Sequence, residues 1–307
     1  MIDIRRVVCA VDFSDGSRRA LTYAVDLATW YECRLAALYV HPLPLTGMAL
    51  ASLPAAPAVP TPAVLSPAER EELRRQIHGL VPADTARHLP VDVLVNGGDV
   101  AGEILAESRP GDLLVIGTHG RSGFERLVLG SVAEKVVRRA TRPVLTVPPA
   151  AREASQAVPS LFHDIVVGID GSEASVRALA FALSLAEEAD AHLTLLQVVE
   201  LPRERAEWAG ESAEGKAYVA RWKESATARL RDLVPQDAHV YCHVHERVET
   251  GQPYREILRV AAERRAGLVV IGAHGHGVLE RLFVGSTAQH VIRQAGCPVL
   301  TVRSPVE

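Results

Sequence analysis

The stretch "GTHGRSGFERLVLGS", residues 117–131, follows the apolar run DLLVIG and leads into the helical pattern SVAEKVVRRA. Three of its four glycines, Gly117, Gly120 and Gly130, and the hydroxyl of Ser131 recur in the same places in a second copy, between a strand and a helix. The stretch recurs at 272–286 as "GAHGHGVLERLFVGS", an offset of 155, with eight of fifteen positions identical. Without a gap, SVAEKVVRRATRPVLTV then meets STAQHVIRQAGCPVLTV with ten matches in seventeen. Upstream, IRRVVCAVDFSDGSRRAL echoes HDIVVGIDGSEASVRAL at an offset of 158. The chain is a unit of about 150 residues written twice. The expected domains are 1–149 and 161–307, joined through the unpatterned PPAAREASQAVPS at 148–160.

Each half alternates two kinds of segment. Short apolar runs bounded by turn residues predict strands buried on both faces: VVCAV, LAALYV, VDVLV, DLLVIG and PVLTV in the first half. The second half repeats them as DIVVGI, LTLLQVV, AHVYCHVH, GLVVIG and PVLTV. Between them lie helical patterns. SRRALTYAVDLATW places Ala20, Leu21, Ala24, Leu27 and Ala28 on one face. Five strands alternating with helices predict a parallel sheet covered on both sides. Residues 41–67 carry seven prolines, which suit neither helix interior nor central strand, and are expected to form a long loop over the ligand side.

Composition excludes several classes of function. Hydrophobic residues are 48% and charged residues 23%, the balance of a folded soluble protein. A net charge of −4 supplies no field for nucleic acid or an anionic membrane. No apolar run approaches the ~20 residues that span a bilayer, and the start lacks the core of a signal peptide. Cys9, Cys33, Cys242 and Cys297 show no paired spacing, which suits free thiols and a cytoplasmic location.

Ligands of an open parallel sheet sit beyond the carboxyl ends of its strands. A helix starting near Gly130 presents unpaired N–H groups and a positive dipole end, which suit phosphate; glycine permits close approach, and Ser131 adds a donor. The bland reading of the same residues is a capped helix N-terminus behind a permissive loop. Neither the Walker loop nor the dinucleotide fingerprint is present.

The spacing Gly117-x2-Gly120-x9-Gly130-Ser131, repeated as Gly272-x2-Gly275-x9-Gly285-Ser286, resembles the ATP-binding signature of the universal stress protein family. The likeness extends to CAVDFS, VGIDGS and the closing PVLTV of both halves. It implies two tandem flavodoxin/Rossmann-like α/β domains, each with a five-stranded parallel sheet of order 3-2-1-4-5, and ATP with Mg2+ as ligand. By the resemblance, Val11, Asp12 and Val40 line the adenosine side, and Ile116 and Gly117 lie beside the ribose. Gly120, Arg121, Gly130, Ser131 and Val132 surround the phosphates. The second-half counterparts are Ile169, Asp170, Val198, Ile271 and Gly272, then Gly275, His276, Gly285, Ser286 and Thr287. Asp12 and Asp170 cannot face a triphosphate bare, so they belong at the nucleoside end or on Mg2+; Ser14 and Ser172 already serve as N-caps. Arg121 either reaches the phosphates or is an ordinary solvated arginine, and His276 in its place predicts unequal, pH-dependent sites.

His119 and His274 are expected to hold the loop rather than act as bases. His243 and His245 share a strand face, but at a sheet edge, where exposed polar residues are ordinary; no metal site and no catalytic residue is assigned. The chain is expected to be an ATP-binding stress-response regulator acting on an unidentified protein partner, with at most slow ATP hydrolysis. The alternatives are a slow ATPase or nucleotidyl-transfer enzyme, and a nucleotide-free interaction module. The apolar closing strands predict that the halves pair PVLTV against PVLTV as a pseudo-two-fold couple, which leaves the intact chain either a monomer or a homodimer through another face.

Overall fold

In a computed structural model of the chain, the described residues are 4–43, 65–86, 88–120, 129–151, 162–200, 212–274 and 284–304. They fall into two compact units with the boundary between Pro149 and Ala150. The first unit runs β1 (Arg6–Ala10), α1 (Asp15–Trp30), β2 (Arg34–Pro42), α2 (Pro67–His78), α3 (Ala83–Ala86), β3 (Val91–Gly98), α4 (Val100–Glu107), β4 (Asp112–Gly117), α5 (Ser131–Arg139) and β5 (Val144–Val147). The second runs β6 (Asp164–Gly168), α6 (Glu173–Ala189), β7 (His192–Val199), α7 (Ala213–Asp232), α8 (Ala238–Tyr241), β8 (His243–Thr250), α9 (Pro253–Arg264), β9 (Leu268–Gly272), α10 (Ser286–Gln294) and β10 (Val299–Val302).

The first sheet has the order β3-β2-β1-β4-β5 with every neighbouring pair parallel. The second has β8-β7-β6-β9-β10, again all parallel. In its own numbering each is 3-2-1-4-5, as the resemblance implies. Val7, Val8 and Cys9 are consecutive and all buried. Because side chains alternate along a strand, helices must cover both faces of β1. Helix α1 packs on β1 and β4, while α4 packs on β2 and β3. The buried set of α1 contains Ala20, Leu21, Ala24, Leu27 and Ala28, the face that the 3.6-residue period predicts. At the amino end of the sheet, Arg6 grips Asp112 with two bonds of 3.2 and 2.7 Å and so ties β1 to β4.

Chain order leaves β1 toward β2 on one side and β4 on the other, so a crevice opens at the carboxyl ends of β1 and β4. The same holds at β6 and β9.

Two expectations need correction or restriction. AHVYCHVH is not one strand: Ala238–Tyr241 forms a helical turn and β8 begins only at His243. The Ala238 amide donates to Pro235 and that of Cys242 to the Ala238 carbonyl, so this backbone is satisfied locally before the edge is reached. Most of the proline-rich segment, residues 44–64, and most of the linker, 152–160, lie outside the described residues.

Candidate functional site

At the end of β1 the chain turns sharply into α1. The Asp12 carboxylate (Oδ1) accepts from the Ser14 amide at 3.0 Å and from its hydroxyl, while Ser14 Oγ accepts from the Ser17 amide and caps the helix. The second unit repeats this: Asp170 Oδ1 accepts from the Ser172 amide at 2.9 Å, and Ser172 caps α6 through the Ser175 amide. Asp12 and Asp170 are thus not caps themselves; each orients the serine that is. Between them sit Phe13, at φ 66, and Gly171, at φ 83. Phe13 holds its left-handed conformation with its ring against Tyr39, the centroids 5.6 Å apart.

The end of β4 returns onto the start of α5. The Gly130 amide donates to the Thr118 carbonyl at 2.7 Å, and the Gly285 amide to the Ala273 carbonyl at 2.8 Å. Ser131 and Ser286 are the first helical residues rather than caps, and the cap positions, Gly130 and Gly285, carry no side-chain hydrogen bond. Among the described residues no side chain takes the opening N–H groups of either helix, which suit an anionic acceptor. The glycines divide by role. A Cβ on Gly117 would stand 2.7 Å from the Gly16 carbonyl oxygen, and one on Gly272 2.9 Å from the Ser175 amide. These two allow β4 and β9 to close on the first turns of α1 and α6. A Cβ on Gly120 would stand 2.8 Å from Asp12 Oδ2, so the glycine leaves that oxygen facing the loop.

These turns enclose a cleft of about 290 Å3 in the first unit. Val11, Asp12, Val40, Ile116 and Gly117 line it from the strands, and Gly120, Gly130, Ser131 and Val132 from the loop and α5. The second unit has a cleft of about 220 Å3. Ile169, Asp170, Val198, Ile271 and Gly272 line it, with Gly285, Ser286 and Thr287 at the helix end. Arg121, Gly275 and His276 lie outside the described residues. One end of each cleft is apolar, formed by Val11, Val40 and Ile116 or by Ile169, Val198 and Ile271. The other is a helix N-terminus. The arrangement suits a ligand with an apolar, planar part and an anionic part.

Sequence reasoning missed the outer wall, Val100 and Ile104 of α4 in the first cleft and Pro253 and Ile257 of α9 in the second. The signal was present as GDVAGEIL and GQPYREIL, which repeat the EIL register at an offset of 153.

His119 and His274 also line the clefts. The His119 ring shares a hydrogen bond with the Thr118 hydroxyl at 2.9 Å, while the His274 carbonyl accepts from the Ser172 hydroxyl at 3.3 Å. Burial, followed by the charge of Arg303, pushes His274 down to about 4, so its ring is neutral at pH 7.

A family model described as the universal stress protein family matches residues 3–148 and again 161–303. A universal stress protein from Mycolicibacterium smegmatis is 28% identical over 287 residues, covering 91% of this chain and 92% of that protein. One from Methanocaldococcus jannaschii is 32% identical over 148 residues, 48% of this chain and 85% of its own length. Among solved structures, a universal stress protein from Archaeoglobus fulgidus superposes with a TM-score of 0.63 at 22% identity, covering 97% of this chain and 98% of that one.

Proposed function

The chain belongs to the universal stress protein family, and from that premise we propose that it is a tandem nucleotide-binding regulator, taking ATP with Mg2+ in each half. The observation that carries this reading is the pairing, in both units, of an apolar cleft with a helix N-terminus that no side chain among the described residues caps. Val11, Val40 and Ile116 offer the nucleoside a desolvated wall. The amides at the start of α5, the Ser131 hydroxyl and the positive dipole end offer donors to the phosphates. Bound Mg2+ supplies neutralising charge to the phosphates, and Asp12 or Asp170 is the lining carboxylate that would hold it.

We read the function as regulatory rather than catalytic. Asp12 and Asp170 are the carboxylates among the described lining residues, and one oxygen of each is engaged in orienting a cap. That geometry orients a helix and a ligand better than it activates an attacking water. A cytoplasmic location and action through a protein partner complete the reading. The four cysteines form no disulfide, and no helix among the described residues is long and apolar enough to cross a membrane.

The test is mass spectrometry of small molecules released when the purified chain is denatured, with calorimetric titration of Mg-ATP. Release of adenine nucleotide, or saturable heat approaching two equivalents per chain, is expected. A folded protein that releases no adenine nucleotide and gives no heat with Mg-ATP would overturn the proposal.

A further inference from the structure

At the amino ends of its strands, opposite the cleft, the second unit carries a cluster of imidazoles. His163 precedes β6, His192 opens β7, and His243 and His245 lie two apart on the edge strand β8. His192 and His243 are direct cross-strand partners. The ring centroid of His192 is 5.0 Å from that of His163, 5.0 Å from His243 and 6.2 Å from His245. Four of the twelve histidines of the chain thus share one patch, which concentrates a single ligand chemistry. His163, His243 and His245 are exposed and His192 is half-buried.

The first unit is an internal control for what the fold needs here. The 158-residue offset puts Arg34 at the place of His192, and the strand registers put Asp92 at that of His245. Arg34 and Asp92 form an ion pair of 3.6 Å. The same corner of the same fold therefore closes with opposite charges, and imidazoles are not required to build it.

Imidazole nitrogens bind divalent transition ions at about 2.0–2.1 Å, so two rings on one tetrahedral ion have centres roughly 5 Å apart. The His192–His243 separation of 5.0 Å meets that requirement. As they stand, these rings are 22° from parallel, and among the described residues no three ligand groups converge on a point. Convergence of the nitrogens takes rotation about χ1 and χ2, which the exposed His243 and His245 make readily against the half-buried His192.

We propose that His192 and His243 form a cross-strand clamp for a borderline divalent transition ion, such as Zn2+, Ni2+ or Cu2+. His245 or His163 supplies a further ligand and water completes the shell. Imidazole suits these ions, whereas Mg2+ and Ca2+ prefer oxygen. The ion ties the edge strand β8 to β7. Because β7 is eight residues long, the clamp lies about 25 Å along the sheet from the carboxyl ends that form the cleft, and it needs no nucleotide.

The experiment titrates the full chain, dialysed against chelator and free of nucleotide, with Zn2+ and Ni2+ by calorimetry, alongside Mg2+. The comparison is with His192→Gln/His243→Gln, with the single exposed change His243→Gln, and with His88→Gln outside the cluster. The wild-type chain and His88→Gln are expected to bind one more transition ion than the double variant, and His243→Gln to lose at least tenfold in affinity. Mg2+ should give no heat at this site. Identical Zn2+ titrations for the wild-type chain and the folded His243→Gln variant would overturn the proposal.

Discussion

Replacing Ser131 and Ser286 with glutamate separates the anion-binding end of each cleft from the stability of the fold. Both serines are exposed, both are the first residue of a helix, and both follow a glycine cap with no side-chain bond. A carboxylate there is favoured by the helix dipole, by about 0.3–1 kcal/mol, so folding should be unharmed. For a phosphate on the same amides the sign reverses. A unit charge about 6 Å from the new carboxylate, at an effective dielectric of about 20, is repelled by about 2.8 kcal/mol, or roughly a hundredfold in affinity. The assay is calorimetry with Mg-ATP and, in parallel, adenosine, which has no phosphate to repel. Mg-ATP binding should fall by about two orders of magnitude while adenosine binding and the melting temperature hold. A loss under fivefold for ATP, or an equal loss for adenosine, would refute the placement of phosphate at these helix ends. Gly130→Val is a poorer probe, because a Cβ at 130 stands 3.1 Å from the Thr118 carbonyl oxygen and confounds binding with folding.

Gly117→Ala and Gly272→Ala should each destabilise by about 1–3 kcal/mol, since the new methyl meets backbone at 2.7 and 2.9 Å; a change under about 0.5 kcal/mol in chemical denaturation would contradict the close approach. His274, held at about 4 when folded against an ordinary 6.5, is neutral in the fold and charged in the unfolded chain between those values. Its contribution to stability is therefore intact above pH 6.5 and lost as pH falls toward 4. Denaturation at pH 7, 5.5 and 4.5 should show His274→Gln losing less stability than the wild-type chain, and parallel curves would remove the effect. Residues 1–149 expressed alone should self-associate through the apolar closing strand β5, as the duplication leads us to propose; sedimentation as a clean monomer would count against the pairing of the halves.

The sequence by itself determined the duplication and the alternation of strand and helix, while the positions expected around the two clefts came from the family resemblance. Those are local facts. Apolar runs and a 3.6-residue period report which backbone forms, and a glycine or serine at a strand end reports a turn whatever the rest of the chain does. Val11, Val40 and Ile116, which the resemblance put beside the nucleoside, line one cleft because they lie at or near strand ends and parallel strands bring their carboxyl ends to one rim.

Only the tertiary structure decided what individual atoms do at that rim. Gly117 is small because Gly16, 101 positions earlier, presses on it. Asp12 steers a cap that is not its own, and Ser131 is a first helical residue rather than a cap. Ile104 and Ile257 became walls, and His163 and His192 joined a pair that alone looked like an ordinary edge. For Gly117, for the two isoleucines and for the histidine cluster the deciding contact joins segments far apart in the chain. Its distance is set by how helices and strands pack, which no local pattern of residue types encodes.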